Sequence, residues 1–140
     1  MPSVFSQIVE GRIPAYKVAE TEDYLAFLDI RPLTRGHTLA IPKKEVDYIL
    51  DLDEPLYVGL WLFAKEVARA IQAAIPCERV AFAVVGLEVP HAHIHLVPIR
   101  SITDLNFQNP RVELTPEEFQ ATAEAIRAKL RELHQQRTSS

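Results

Sequence analysis

The alternation of histidine and apolar residues at positions 91 to 97 constrains the fold of this chain more than any other feature. Three of its five histidines, His91, His93 and His95, are separated by single apolar residues. A β-strand directs successive side chains to opposite faces, so residues at every second position share one face. The pattern therefore predicts a strand from 91 to 99, with three imidazoles on one face and a buried side formed by Ala92, Ile94, Leu96 and Val97.

Placing three imidazoles next to one another on one face is energetically unfavourable. Each ring has an ordinary pKa near neutrality, and each disfavours protonation of the next. A purely structural role would require hydrogen-bond partners for all three if they are buried. The pattern therefore favours a chemical role for these histidines over a role in packing.

The remaining apolar pattern predicts one α+β domain, residues 1–140, on a five-stranded antiparallel sheet. Four further strands are predicted at 16–20, 24–29, 37–41 and 79–86. A short N-terminal helix at 4–10, a main packed helix at 55–75 and a C-terminal helix at about 115–134 complete the set. Thr115 and Glu118 form a capping box for the last helix, with Pro116 at its first position.

The helix at 55–75 is apolar around more than one face, because Val58, Trp61, Leu62 and Phe63 add to its regular stripe. Packing on a sheet requires only one stripe. The excess predicts a second buried contact, which we interpret as a homodimer interface. A deeper core or an overlying loop are the alternatives.

Composition narrows the possible partners. The chain has 48% hydrophobic residues, 24% charged residues and a net charge of −4. This charge predicts binding neither to nucleic acid nor to an anionic membrane. The single cysteine, Cys77, precludes a disulfide within the chain, and the N-terminus lacks the pattern of a signal peptide. We therefore expect a cytoplasmic protein.

A metal site and phosphate chemistry are the two chemical interpretations of the histidine row. In a strand the Cα atoms of the outer two histidines lie about 13 Å apart, which is poor geometry for one ion. A neutral imidazole can instead attack phosphorus, while its neighbours bind the phosphate oxygens or the leaving group. Its central position makes His93 the expected nucleophile, supported by His91 and His95. No metal and no cofactor is expected.

Four blocks of the sequence together resemble the histidine triad (HIT) superfamily. HAHIHLV at 91–97 matches its signature, and GHTLAIPKK at 36–44 is close to a second motif. Residues 3–14 and 24–32 are similar to the family's N-terminal and nucleotide-contacting segments. The resemblance covers about residues 3–100, so the C-terminal helix lies outside it. It implies a HIT-like fold and homodimers that form through the helix at 55–75.

The resemblance also implies an activity at the α-phosphate of nucleotides, through a nucleotidyl-histidine intermediate. It gives the nucleophile as His93, the phosphate or leaving-group residue as His95, and supporting roles to His91 and His37. It implies that Asp29 binds the ribose hydroxyls. The other matching positions are expected to form the base pocket: Val4, Phe5, Ile8, Phe27, Leu28 and Ile30.

Two departures from the family pattern bear on these expectations. Glu88 replaces a Ser or Thr found in many relatives three residues before the first histidine, and we place Glu88 and Val89 beside the nucleotide. A carboxylate there repels phosphate unless it is protonated or turned away. Recognition of an amine-bearing leaving group, service as an acid and an ordinary solvated loop position are the alternatives for Glu88. Ser3 and Ser6 stand where some relatives have Cys-x-x-Cys, so the structural zinc of those relatives is not expected.

The sequence thus predicts a metal-independent hydrolase of purine nucleotide phosphoramidates or related conjugates that releases a nucleoside monophosphate. A dinucleoside polyphosphate hydrolase and a nucleotide-binding regulatory protein with little turnover are the alternatives.

Overall fold

The protein is an antiparallel sheet with two long helices packed on one face and a short helix on the other, in a computed structural model that describes residues 2–139. Residues 1 and 140, the ends of the predicted domain, lie outside this range. Five strands pair in the order β1-β2-β3-β5-β4. They are β1 (Lys17–Glu20), β2 (Tyr24–Leu28), β3 (Thr38–Pro42), β4 (Arg79–Ala83) and β5 (Ile94–Ile99). All pairs are antiparallel, which confirms the predicted fold class.

Three α-helices accompany the sheet: α1 (Val4–Val9), α2 (Glu54–Ala74) and α3 (Pro116–Ser139). Asp53 caps α2 by accepting a hydrogen bond from the backbone N–H of Leu56. The capping box at the start of α3 also forms, since Thr115 and Glu118 exchange hydrogen bonds. Helix α3 continues five residues past its predicted end at 134.

The sheet buries a different cluster on each face. On the helix face, α2 and α3 cover alternate strand residues that include Ala26, Ala40, Ile94 and Leu96. On the opposite face, which we call the histidine face, α1 covers Leu25, Phe27, Leu39 and Ile41. Burial on both faces explains why β3 and β5 are completely buried. The histidines therefore lie within a covered face.

The histidine strand is shorter than predicted. Strand β5 begins at Ile94, so His91 and His93 precede the paired segment. The ladder between β3 and β5 joins Ala40 to Ile94 and would next bring Pro42 opposite position 92. Pro42 has no N–H to donate, so the ladder ends there.

Two details of the strands also differ from the predictions. Val97 lies with Leu33 and Ile99 on the histidine face, not with Ala92 on the helix face. Strand β4 ends at Ala83, three residues before its predicted end, and a loop links it to the histidines. This loop runs from Val84 to Pro90 and contains Gly86 with a φ of 76°.

Candidate active site

Four histidines converge on the histidine face of the sheet. His95 lies on β5 opposite Leu39 of β3, and His37 immediately precedes β3. His91 and His93 lie in the segment that enters β5. All four are buried, and the ring centroids of His93 and His95 are 4.9 Å apart. The sheet pairing thus joins His37, which is distant in sequence, to the row of three.

The hydrogen bond on His93 fixes which of its nitrogens carries the proton. Nδ1 lies 2.7 Å from the carbonyl oxygen of His91. A carbonyl only accepts, so Nδ1 donates and Nε2 of the neutral ring keeps its lone pair. His93 is therefore held in the tautomer that presents a nucleophilic Nε2.

A second chain of hydrogen bonds fixes the tautomers of His37 and His95. The backbone N–H of Leu33 donates to His37 Nδ1 at 3.0 Å. The proton of neutral His37 is then on Nε2, which donates to His95 Nδ1 at 3.0 Å. His95 must consequently carry its own proton on Nε2. This N–H can donate to a phosphate oxygen or to a leaving group.

His91 is held from both sides by the backbone and by α1. Its Nε2 donates to the carbonyl of Pro42 at 2.8 Å, so Nδ1 accepts from the hydroxyl of Ser3 at 2.8 Å. The Ser3 hydroxyl also caps α1 by accepting from the N–H of Ser6. The hydroxyl of Ser6 donates to Glu45, which also accepts from the N–H of Ser3. His91 thereby anchors α1 to the start of the histidine strand.

Burial keeps the imidazoles neutral. Desolvation lowers the pKa of His37 to about 3 and that of His95 to about 4, and neighbouring histidines contribute to both shifts. Desolvation also lowers the pKa of His91 and of His93. For His93 the carbonyl of His91 and the carboxylates of Asp29 and Glu88 act in the opposite direction. A neutral His93 is the form required for nucleophilic attack.

Aromatic and aliphatic side chains form an apolar wall beside the histidines. The ring of Phe5 meets His93 at 5.1 Å and Phe27 at 5.4 Å, both edge-on. Ile8 belongs to the same buried cluster, and Val89 packs against it. These contacts bring four of the predicted nucleotide-binding residues to the histidines.

The other predicted base-pocket residues are placed differently. Val4 is 42% exposed and Ile30 is 69% exposed, so neither is enclosed by the chain. Leu28 lies in the core on the helix face, because it is one residue out of phase with Phe27 along β2. The structure therefore places Leu28 away from the histidines.

Asp29 lies where β2 turns toward His37. Its Oδ1 accepts from the N–H of Arg31 at 2.8 Å, and its Oδ2 is 3.7 Å from His37 Nε2. Desolvation raises the pKa of the Asp29 carboxyl. With His37 neutral, the contact between them is not an ion pair. Glu88 is exposed in the loop before the histidines, close enough to affect His93.

Asp29, His37 and His95 are also close enough to act as metal ligands, since their ligand atoms lie within 4.8 Å of one another. The hydrogen bonds do not favour that use. His37 Nδ1 accepts the N–H of Leu33, so Nε2 must keep its proton unless the ring becomes an imidazolate. The cluster therefore fits a hydrogen-bond relay better than a metal centre. That no metal is needed stays a prediction.

In the segment after β5, one residue beyond the predicted site contacts it and a second residue packs on the first. The ring of Phe107 meets His95 edge-on at 4.8 Å. The guanidinium of Arg111 lies 5.8 Å from the centre of the Phe107 ring. Local sequence gave no signal for them, because the surrounding residues 106–110, NFQNP, have the composition of an ordinary loop. Sequence reasoning also missed Glu45, which sits among scattered charges.

The sheet and its row of neutral imidazoles, one with a free lone pair, define a site for nucleophilic chemistry. A model of the HIT domain matches residues 10–102, which is well over half of the chain. The chain belongs to the HIT family.

Relatives of this chain match it along nearly its whole length. It is 33% identical over 139 residues to an uncharacterized HIT-like protein of Mycobacterium tuberculosis, covering 93% of this chain and 94% of that protein. It is 33% identical over 137 residues to the adenosine 5′-monophosphoramidase hnt1 of Schizosaccharomyces pombe, covering 94% of this chain and 100% of the yeast protein.

Solved structures agree with this assignment. A zinc-bound histidine triad family protein from Mycobacterium smegmatis superposes with a TM-score of 0.81 at 32% identity, covering 94% of this chain and 95% of that one. A hypothetical histidine triad nucleotide-binding protein from Sulfolobus tokodaii has a TM-score of 0.82 at 28% identity, covering 92% of both chains.

The zinc-bound relative raises the question of whether this chain has the residues for a structural zinc site. Ser3, Ser6 and Glu45 surround His91, and their hydroxyl and carboxylate groups bond to one another and to the ring. Structural zinc sites are built from Cys and His ligands, and a pair of Ser hydroxyls does not supply them. These residues therefore do not fit a structural zinc ion, and no reaction step is derived through one.

Proposed function

We propose that this protein is a nucleotide hydrolase that acts at the α-phosphorus of purine nucleotide phosphoramidates or related conjugates. The observation that carries this proposal is the tautomer of His93. Its Nδ1–H is committed to the carbonyl of His91, so the lone pair of Nε2 is free for attack. The relationship to the adenosine 5′-monophosphoramidase of fission yeast supports the choice of substrate.

The first step forms a nucleotidyl-histidine. His93 Nε2 attacks the α-phosphorus, the bond from phosphorus to the leaving nitrogen breaks, and the amine departs with the electron pair and takes a proton from water. The ring of His93 becomes positively charged in this step, and the nearby carbonyl of His91 stabilises its Nδ1–H. The Nε2–H of His95 donates to the phosphate, helped by backbone N–H groups of residues 86–89.

The second step restores the enzyme. Hydroxide from the same water adds to phosphorus, the bond to Nε2 breaks, and the nucleoside monophosphate leaves. His37 keeps Nδ1 of His95 occupied throughout, so His95 continues to present its Nε2–H to the phosphate. The reaction consumes one water and requires neither metal nor cofactor.

In this proposal, the residues beside the histidines bind the base, the ribose and the leaving group of the substrate. Phe5, Ile8, Phe27 and Val89 line the base pocket, with the exposed Val4 and Ile30 at its edge. Asp29 accepts the ribose hydroxyls, a role suited to a carboxylate with two acceptor oxygens. Exposed Glu88 favours an amine-bearing leaving group, which separates this proposal from a dinucleoside polyphosphate hydrolase. A protein that binds nucleotide with little turnover is the remaining alternative.

Hydrolysis of adenosine 5′-phosphoramidate in the presence of EDTA tests the proposal. The wild type should turn over, and His93→Ala should lose at least about a thousandfold in rate because it removes the nucleophile. His134→Ala, at an exposed position on α3, is the matched control. A quench with SDS at alkaline pH during turnover should trap AMP on the wild-type chain. AMP binding without turnover by the wild type would leave a binding protein as the function.

We also propose that two copies associate through α2 and the unpaired edge of β4. Val58, Leu62 and Phe82 are between 38% and 59% exposed there, and together they form an apolar patch. Trp61 stacks on Phe82, and its buried Nε1 has no hydrogen-bond partner within residues 2–139. Such a surface is typical of a subunit interface.

Membrane association is not part of the proposal. Within residues 2–139, no helix has the combined length and apolar character needed to cross a bilayer. The lone Cys77 suits a reducing compartment, so we keep the cytoplasm as the proposed location.

A further inference from the structure

The segment that follows β5 closes one side of the histidine cluster. Leu105 and Phe107 pack against Leu33, Val97 and Ile99, which extends the histidine face past the end of the sheet. The segment is folded internally: Asp104 caps its first turn, and Asn109 bonds back to Asn106 and Thr103. The match to the family model ends at residue 102, so Leu105 and Phe107 lie outside it.

Arg111 links the segment that follows β5 to the turn that carries Asp29. Its Nη1 donates to the carbonyl of Arg31 at 2.8 Å, and the N–H of Val112 donates to the carbonyl of Pro32 at 2.9 Å. The N–H of Arg31 in turn donates to Asp29. These bonds hold the half-buried guanidinium over the ring of Phe107, and that ring meets His95.

The guanidinium of Arg111 brings positive charge to a site that contains two carboxylates. The four histidines are neutral at pH 7, and Asp29 and Glu88 both act on His93 as negative charges. A nucleotide adds a further negative phosphate. The charge on Arg111 lowers the pKa of both His37 and His95, so its field reaches the atoms that would hold that phosphate. Without the charge of Arg111, a bound anion there would face the carboxylates of Asp29 and Glu88 with less opposing positive charge.

We propose that Arg111 binds the α-phosphate of the nucleotide beside His95, with Phe107 and the carbonyl of Arg31 holding its side chain in place. This inference rests on the proposed function and adds a substrate-binding residue from outside the family-matched region. One of the five N–H donors of the guanidinium is used by Arg31, and the fork suits phosphate oxygens. Arg111 would thus offset the repulsion from Glu88.

Binding of AMP and of adenosine to Arg111→Met, measured by calorimetry on the full chain, tests this. The variant should lose about tenfold or more in affinity for AMP, the value of a charge-assisted hydrogen bond, and keep its affinity for adenosine. Arg111→Lys should recover part of the loss, since it keeps the charge but not the fork. Arg131→Met removes an exposed arginine of α3 and should bind both ligands like the wild type.

The other possible results of these binding measurements distinguish failure of the Arg111 proposal from failure of the proposed function. Equal losses for AMP and adenosine would overturn the phosphate contact, because Arg111 would then act only through the turn of Asp29. Unchanged AMP affinity would overturn it as well. A selective loss for AMP in a protein that does not hydrolyse phosphoramidates would support Arg111 and reject the proposed hydrolase. Absence of AMP binding by the wild type would overturn both proposals.

Discussion

At the scale of single residues, the proposed function depends on which nitrogen of each imidazole carries the proton. Three carbonyl or N–H partners from the backbone settle this for His91, His93 and His37, and His37 settles it for His95. Backbone groups cannot change protonation state, so the tautomers hold across the working pH range. The site is thereby prepared before any substrate arrives.

The pH dependence of activity provides a test of this residue-scale description. Burial lowers the pKa of His93, and the negative charge of Glu88 raises it. Glu88→Gln removes the charge and disfavours the imidazolium, so the pKa of His93 should fall further. The acid limb of kcat/KM for adenosine 5′-phosphoramidate should then move to lower pH, because neutral His93 persists there.

Glu113→Gln is the control, since Glu113 is exposed and lies outside the cluster. It removes one carboxylate charge but should leave the acid limb where it is in the wild type. A limb that stays fixed or moves upward in Glu88→Gln would contradict the placement of this carboxylate beside His93.

At the scale of elements, α2 approaches the sheet closely at Gly59. A Cβ built there would lie 2.0 Å from the hydroxyl oxygen of Tyr24. That hydroxyl donates to the carbonyl of Leu56, and the ring stacks on Phe63, so Tyr24 cannot simply swing away. The glycine is thus required by packing against β2, although it weakens the helix.

Gly59→Ala should therefore destabilise the protein by about 1–3 kcal/mol, the usual cost of overpacking, even though alanine is the better helix former. Urea denaturation measures the free energy of unfolding. Tyr24→Phe should relieve part of the cost in the double variant, because it removes the nearest atom. A more stable Gly59→Ala protein would show that the helix and sheet can separate at this point without loss.

At the scale of the whole molecule, the exposed apolar patch on α2 and β4 predicts a dimer. Leu62→Glu places a charge in the patch and should raise the dimer dissociation constant at least a hundredfold, because the carboxylate would be buried without a partner. Sedimentation equilibrium would measure the change. Gln120→Glu adds the same charge on exposed α3 and should leave association unchanged.

The single tryptophan of the chain gives an independent readout of the same equilibrium. Trp61 lies at the patch, so dilution should shift its fluorescence to longer wavelength as the dimer dissociates. A wild-type chain that sediments as a monomer at micromolar concentration would rule out the proposed interface.

The sequence by itself determined the class of fold and the chemical groups of the site. Strand and helix patterns and the capping box at α3 are local signals, and they placed every strand and main helix. The alternation at 91–95 was enough to identify three imidazoles on one side. The local pattern did not show that β5 begins only at Ile94, because Pro42, which is distant in sequence, limits the ladder.

Only the tertiary structure decided which groups meet and in which protonation state. The hydrogen bonds from His37 to His95 and from Ser3 to His91 join segments that no spacing rule relates. Phe107 reaches His95 for the same reason, whereas the alternation along β2 is itself enough to place Leu28 on the face opposite to Phe27. Strand pairing and the path of a loop are set by long-range packing, whereas sequence patterns record only periodicity along the chain.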